Sequence, residues 1–305
     1  MTRKSKILLR SPWTRFVETE TAIFSADFSG EEADALLCEW APSDELFSFS
    51  GPKAWYCCEP ECQFNAMDNG RWPGLRARLA ENEFLFHNHK DLRYRVPHIT
   101  HFESIEVNKN PDRLERAVAV VSNFGGGPRR RHPQIHYRNL FATNPLVDLY
   151  GRSSWQKYRK SLFSLPKAPG NYRGEIPGDW PAGEKREMLS RYKVCISMEN
   201  MTGPHYFTEK FVEAVMAGCV PIYHAHESLV DTVLKGAMWV DPADYNDNPE
   251  KTIDAALDMD LVSCQEANSK WLLRKEVQET HHLKVFQRIS KLLLGGDVAG
   301  DWNGC

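Results

Sequence analysis

The spacing of hydrophobic and polar positions changes regularly along the chain. From Arg116 onward, short apolar runs at 117–121 (AVAVV), 146–151 (LVDLYG), 193–198 (KVCISM), 219–224 (CVPIYH) and 237–240 (AMWV) alternate with amphipathic segments at 132–142, 206–218, 227–234 and 250–259. Apolar runs of that length read as buried strands, and apolar residues every three or four positions read as helices. Their alternation predicts parallel strands joined by crossover helices, a doubly wound α/β domain. The first 115 residues are looser: 6–9, 53–58 and 83–87 read as strands, while EEADALLCEW (31–40) and WPGLRARLAE (72–81) read as helical. The polar, Pro-containing VNKNPDRLE (107–115) is the expected linker. The chain thus reads as one α/β domain over 1–115, a second over 116–264 and a helical tail over 265–305. Two such units suit a cleft in which one holds a nucleotide-linked donor and the other a second substrate.

The tail keeps helical periodicity over 265–294, where apolar Leu283, Phe286 and Leu293 interleave with Lys284, Arg288 and Lys291. A helix packed back across the domains is the favoured expectation, with peripheral membrane contact through its basic, apolar face as the alternative.

Composition narrows the function. Of 305 residues, 42% are hydrophobic and 26% charged, and 38 Lys and Arg against 41 Asp and Glu give a net charge of −3. This is an ordinary globular mixture, without the basic excess of a nucleic-acid binder or the acidic excess of a disordered chain. No apolar run approaches the roughly 20 residues that cross a bilayer, and the stretch before Arg10 is too short for a signal-peptide core, so the expectation is a cytoplasmic protein, peripheral to a membrane in the alternative reading. The eight cysteines, at 38, 57, 58, 62, 195, 219, 264 and 305, are scattered through apolar runs, and reduced thiols are expected. Cys57-Cys58-x3-Cys62 has no second pair to complete a zinc set, so no metal is expected.

In open α/β sheets ligands sit at the carboxyl ends of the strands, so the residues just after the apolar runs are the candidates for chemistry. After AVAVV comes SNFGGGPRRR (122–131), which lacks the glycine spacing of a dinucleotide fingerprint and the GK[ST] of a P-loop. Its Arg129, Arg130 and Arg131 are either phosphate contacts or a solvated basic loop. After LVDLYG come Arg152, Ser153 and Ser154. After KVCISM comes the most informative stretch, 199–210, in which Thr208 is a helix N-cap with Glu209 and Lys210 in the first turn. A lysine beside free backbone N–H groups makes an anion site, and a neighbouring carboxylate can accept two hydrogen bonds from a ribose diol.

The run SRYKVCISMENMTGPHYFTEKFVEAVMAGCVPIYHA (190–225) resembles the donor-binding core of the α-1,3/1,4-fucosyltransferases, glycosyltransferase family 10. That family has a Tyr-Lys-Phe strand, then Phe-Glu-Asn, then Tyr-[Val/Ile]-Thr-Glu-Lys opening a helix, then a [Val/Ile]-Pro-[Ile/Val] strand. VVSN (120–123) and VDLYGRS (147–153) resemble its preceding elements in the same order. Met198 stands where the family usually has Phe, and GGGPRRRHPQIHY does not align with its Arg-containing helix start. The resemblance implies a GT-B fold, two Rossmann-like domains facing a cleft. It also implies transfer of L-fucose from GDP-β-L-fucose with inversion and without an obligatory metal or other cofactor. Carried over by position, Tyr206, Glu209 and Lys210 hold the nucleotide sugar, Glu209 on ribose and Lys210 on phosphate, and Glu199 and Asn200 line the same pocket. Ser122, Asn123, Gly151 and Arg152 follow from the two preceding elements, and Arg131 is the arginine taken for the pyrophosphate, the choice of arginine staying open.

AWYCCEPE (54–61) resembles the family's aromatic N-terminal strand, Phe-Tyr-Thr-Gly-Glu, which puts Glu59 opposite the acceptor as general base; the plainer alternative is that Glu59 ends a strand at a Pro turn. An alcohol is a weak nucleophile until its proton is being removed, so a base on the acceptor side is needed, and such help is worth roughly 10²–10⁴ in rate. The expected partners are GDP-fucose and a glycan acceptor of N-acetylglucosamine type, with no nucleic acid. A GT-B transferase using another nucleotide sugar and a non-catalytic nucleotide-sugar-binding protein are the alternatives.

Overall fold

The computed structural model describes residues 3–12, 14–57, 59, 65, 69–70, 73–74, 84–87, 94–95, 100, 105–121, 133–151, 169–176 and 184–295. Two sheets organise them. The first contains β1 (Ser5–Arg10), β2 (Phe16–Glu18), β3 (Ala22–Ser25), β4 (Ala35–Glu39), β5 (Lys53–Tyr56), β6 (Phe84–His87) and β7 (Tyr94–Arg95), in the order β2-β3-β1-β4-β5-β6-β7. Every neighbouring pair is parallel except β2 with β3. The second contains β8 (Leu114–Val121), β9 (Val147–Gly151), β10 (Tyr172–Gly174), β11 (Tyr192–Ile196) and β12 (Val220–Ile222), all parallel, in the order β10-β9-β8-β11-β12. That is the third, second, first, fourth and fifth strand, five of the six positions of the Rossmann order 3-2-1-4-5-6. In chain order the helices are α1 (Glu45–Ser48), α2 (Pro133–Ala142), α3 (Glu184–Leu189), α4 (Glu209–Met216), α5 (Glu227–Val230), α6 (Pro249–Asp258), α7 (Leu261–Leu272), α8 (Lys275–Gln278) and α9 (His282–Leu293).

Alternation along the strands builds a layer on each side of each sheet. In the first sheet Ile7, Leu9, Phe24 and Leu37 pack against Val285, Phe286, Ile289 and Leu293 of α9, while Leu8, Leu36 and Trp55 face Leu46 of α1. Phe24 meets Phe286 edge to face at 4.8 Å, a favoured aromatic geometry. In the second sheet Ala117, Ala119 and Val121 pack with Phe141 of α2 and Ile253 of α6, and Val118 and Cys195 pack with Leu189 of α3 and Ala214 of α4.

Several sequence expectations are corrected. EEADALLCEW is not helical: its centre is β4, fully buried between β1 and β5. A parallel strand covered on both faces is a continuous apolar run and carries no alternation to mark it. AMWV forms no strand, only a single bridge between Val240 and Ile222, and helix forms in ESLVDTVL only over α5. The tail is not one helix but α7, α8 and α9. The breaks fall where the chain leaves the cluster of Trp271, Leu272 and Val277 beside α4 and crosses to the first sheet. The crossing is held by a bridge between Thr100 and His281 and by the paired hydroxyls of Thr100 and Thr280, 2.7 Å apart. Of the apolar residues read along the tail, Phe286 and Leu293 pack on the first sheet, as the favoured expectation of a helix packed back has it, and Leu283 stays exposed. Among the described residues no helix is long and apolar enough to cross a membrane.

The segment 107–115 is clamped to the foot of the second sheet. Arg113 donates to the carbonyls of Asn108 (2.8 Å), Tyr192 (2.9 Å) and Ala217 (2.8 Å). Gly218 makes this approach possible: its φ is +73°, and a Cβ there would lie 1.9 Å from the Asn108 carbonyl oxygen.

Candidate active site

The second sheet delivers its polar groups at the carboxyl end of β11, where the chain runs through Ser197 and Met198 to Glu199. The following loop returns at Thr208, whose extended backbone and side chain cap α4 by accepting the Lys210 N–H. Glu199 and Thr208 are locked together. The Thr208 N–H donates to Glu199 Oε1 at 3.0 Å, and the Thr208 hydroxyl lies 2.6 and 2.8 Å from the two carboxylate oxygens. The Tyr223 hydroxyl adds a longer donor at 3.4 Å.

Lys210 completes the cluster. Its Nζ lies 3.1 Å from Glu199 Oε2 and 3.1 Å from Glu209 Oε1, and it donates to Thr208 Oγ1 at 3.1 Å. The carboxylates differ in exposure: the Glu199 side chain is 2% exposed and that of Glu209 22%, with Lys210 at 24%. Burial pushes the Glu199 carboxyl above the usual range, and the Lys210 charge offsets this only in part. For Lys210, burial acts downward, but the two carboxylates outweigh it and hold the ammonium above its ordinary value.

A second cation enters from α2. Arg138 is 3% exposed; it donates to Asn200 Oδ1 and, at 3.0 Å, to Asn139 Oδ1. Burial lowers it to about 10 against the opposing charge of Glu199, which leaves it protonated at neutral pH. Arg138 is the site residue that sequence reasoning missed. The signal was present: it stands at the buried positions of α2, between Ile135 and Phe141, where an arginine breaks an apolar stripe. Thr208 and Tyr223 were also unassigned as site residues.

The remaining expected donor residues are placed as follows. Asn200 joins the cluster through Arg138, and Tyr206 is buried in the loop before α4, its N–H donating to the Gly203 carbonyl at 3.2 Å. Gly151 ends β9 and its carbonyl accepts the Tyr172 hydroxyl at 3.3 Å. Ser122, Asn123, Arg131 and Arg152 lie outside the described residues. Beside the site, at the end of β12, His224 Nδ1 lies 3.4 Å from Asp241 and its ring 5.1 Å from that of Tyr137, whose hydroxyl donates to Asp247 at 2.6 Å.

On the first sheet Glu59 follows β5, half-buried, and its Oε1 accepts the indole N–H of Trp40 at 3.0 Å. Cys57 beside it is a free thiol pushed up to about 12 by burial, and Cys38, Cys195, Cys219 and Cys264 are also free and buried. Cys58, Cys62 and Glu61 lie outside the described residues. Among the described residues no group of three or more His, Cys, Asp or Glu side chains is arranged to hold a metal ion.

Residues 110–260 match the family model described as glycosyltransferase family 10 (fucosyltransferase), C-terminal part. No curated protein matches the sequence. Among solved structures, an α1,3-fucosyltransferase crystal structure is 15% identical, with 97% of this chain and 91% of that chain covered and a TM-score of 0.52. A trehalose-6-phosphate synthase studied for glycosyl transfer with retention is 11% identical, with 95% and 93% covered and a TM-score of 0.57. OtsA without ligand is 11% identical, with 87% and 73% covered and a TM-score of 0.54. At these identities the structures show the shared GT-B fold alone. The matched span contains β8 to β12 together with Arg138, Glu199, Thr208 and Lys210, and the chain belongs to glycosyltransferase family 10, the fucosyltransferases.

Proposed function

We propose that the protein transfers L-fucose from GDP-β-L-fucose, with inversion, to a hydroxyl of an N-acetylglucosamine-type glycan. The linkage is α-1,3, with α-1,4 as the variant an acceptor series separates. One observation carries the reading: two cations, the buried Arg138 and the half-buried Lys210, converge with Glu199 and Asn200 on the capped start of α4. Leaving-group departure puts negative charge on the β-phosphate, and preorganised cations at a helix N-terminus stabilise such charge without a divalent ion. Lys210 and Arg138 take the phosphates in this reading, and Glu209, the exposed carboxylate of the pair, takes the ribose diol. On the acceptor side Glu59 removes the hydroxyl proton as the new C–O bond forms opposite the departing GDP. Inversion needs only that one base, so no covalent glycosyl-enzyme intermediate is required.

The test is nucleotide-dependent thermal stabilisation, paired with GDP release on an N-acetylglucosamine acceptor. GDP at about 100 times its Kd stabilises by about 2.7 kcal/mol and UDP does not. Turnover continues in EDTA. Stabilisation by UDP alone overturns the donor, GDP binding without GDP release on any acceptor makes the protein a binder, and activity that EDTA abolishes and Mn²⁺ restores overturns the metal-free mechanism.

A further inference from the structure

Glu39, the last residue of β4, is in register with Tyr56 of β5. The next residue, Trp40, has a φ of 72°, the left-handed region that a bulky L residue rarely enters. Two bonds from β5 hold it there. The Trp40 N–H donates to the Tyr56 carbonyl at 2.8 Å, and the Trp40 carbonyl accepts the Trp55 indole N–H at 3.2 Å. The Trp40 ring packs, partly buried, against the apolar layer of the first sheet. Held at backbone and ring, the Trp40 indole donates to Glu59 Oε1 at 3.0 Å, and Glu59 stands three residues beyond the end of the strand that supplies both backbone partners.

We infer that Trp40 is a positioning residue for Glu59, its indole N–H holding the carboxylate in one orientation toward the acceptor hydroxyl. This rests on the reading of Glu59 as the base. The residue type suits the task. An indole N–H donates and never accepts, and it does not titrate in the working range, so it orients a carboxylate without competing for the proton that carboxylate must take. A lysine or histidine in the same place would add a charge or a proton of its own. In the step itself the acceptor O–H proton passes to Glu59 while the acceptor oxygen bonds the anomeric carbon. The bond from that carbon to GDP breaks with its electron pair leaving on the β-phosphate, and Trp40 exchanges nothing. A base must be held within a narrow range of geometry, and the left-handed step at Trp40 is a strained arrangement kept where the geometry is used.

The experiment compares Trp40→Phe, Trp40→Gly, Glu59→Gln and the double variant Trp40→Phe/Glu59→Gln, measuring kcat, donor KM and the GDP-dependent melting shift. Trp40→Phe keeps an aromatic ring and removes the N–H. It lowers kcat by about ten- to a hundred-fold, the range for losing a hydrogen bond to a charged group, with donor KM and the GDP shift unchanged. Trp40→Gly accommodates the left-handed backbone and lowers kcat at least as far, which separates the N–H from any folding defect of the Phe variant. The double variant is no slower than Glu59→Gln alone, because Trp40 acts through Glu59. Turnover of Trp40→Phe or Trp40→Gly within twofold of wild type overturns the proposal, as do losses that multiply in the double variant. If Glu59→Gln itself turns over normally, the base assignment fails and the positioning role falls with it; a slow Glu59→Gln beside a normal Trp40→Phe refutes the positioning role alone.

Discussion

Thr208→Val tests whether the hydroxyl of Thr208 organises the donor site. The hydroxyl bonds the Glu199 carboxylate at 2.6 and 2.8 Å, accepts from Lys210 Nζ at 3.1 Å and caps α4 through the Lys210 N–H at 3.4 Å. Valine keeps the shape of the side chain and loses all of these. The cap is long, so its loss costs about 0.5 kcal/mol, the low end for such caps. The bond to a buried carboxylate is the larger part, about 1.5–3 kcal/mol, because Glu199 keeps only the Thr208 N–H, the distant Tyr223 hydroxyl and Lys210. Together these lower stability by about 2–3.5 kcal/mol, or about 4–7 °C in Tm at roughly 2 °C per kcal/mol for a chain of this length. Thermal unfolding with and without GDP reads both effects, since on the proposed reading a Lys210 that loses one of its partners also holds the nucleotide less well. Thr208→Ser retains the hydroxyl and recovers most of the loss. A Thr208→Val protein melting within about 1 °C of wild type would refute the argument. A Thr208→Ser protein as unstable as the valine variant would move the cause from the hydroxyl to the packing of the methyl group.

Other expectations follow from the same geometry. On the proposed reading Lys210→Ala weakens GDP binding and turnover together, because the ammonium then serves the bound and the transition state alike; an unchanged GDP-dependent melting shift shows that the side chain does not reach the phosphates. Gly218→Ala combines a φ of +73° with a Cβ placed 1.9 Å from the Asn108 carbonyl oxygen. It lowers stability by about 2–4 kcal/mol, read as a lower denaturant midpoint, and a midpoint equal to wild type would be the contrary result. The hydrogen bond that His224 Nδ1 donates to Asp241 raises the His224 pKa above its ordinary 6.5 against the effect of burial, so the folded state favours the charged ring. That contribution is therefore fully present below about 6.5 and is lost as pH rises through the folded value. His224→Phe flattens this part of the stability profile, and an unaltered slope between pH 6 and 8 argues against the pair.

Four strands of the second sheet were legible because they alternate with crossover helices, and the helix start at Thr208, Glu209 and Lys210 is a local sequence signal, whereas the short edge strand β10 was not read and AMWV makes only a bridge. β4 was misread for a physical reason: buried on both faces, it offers a helix-like run of apolar and acidic residues with no alternation to give it away. The broken tail has a different cause. Neither Gly nor Pro marks the breaks between α7, α8 and α9 in the sequence, because they are imposed by the crossing to the first sheet at Thr100 and His281. Arg138 belongs to no local motif; its mark in the sequence is an arginine where the apolar stripe of α2 calls for an apolar residue. The partnership of Trp40 with Glu59 spans two strands and a left-handed residue, and no local pattern encodes it.

The exposure of the two carboxylates around Lys210 decides how the site can respond to a donor. An ammonium has three donors, and here Glu199, Glu209 and Thr208 take all of them. A phosphate oxygen can bond Lys210 directly only by displacing one of these. Releasing Glu199 would leave a nearly sealed carboxylate to the Thr208 and Tyr223 donors alone, which is costly in a buried setting. Releasing Glu209, with about a fifth of its side chain in solvent, costs less than releasing Glu199, because water or a ligand hydroxyl can reach the carboxylate. On the proposed reading, one exchange therefore does two things: the phosphate replaces Glu209 on Lys210, and the displaced carboxylate becomes available to the ribose of the same molecule. Thr208 and Glu199 keep the lysine aimed throughout, so the cation is in place before the leaving group needs it.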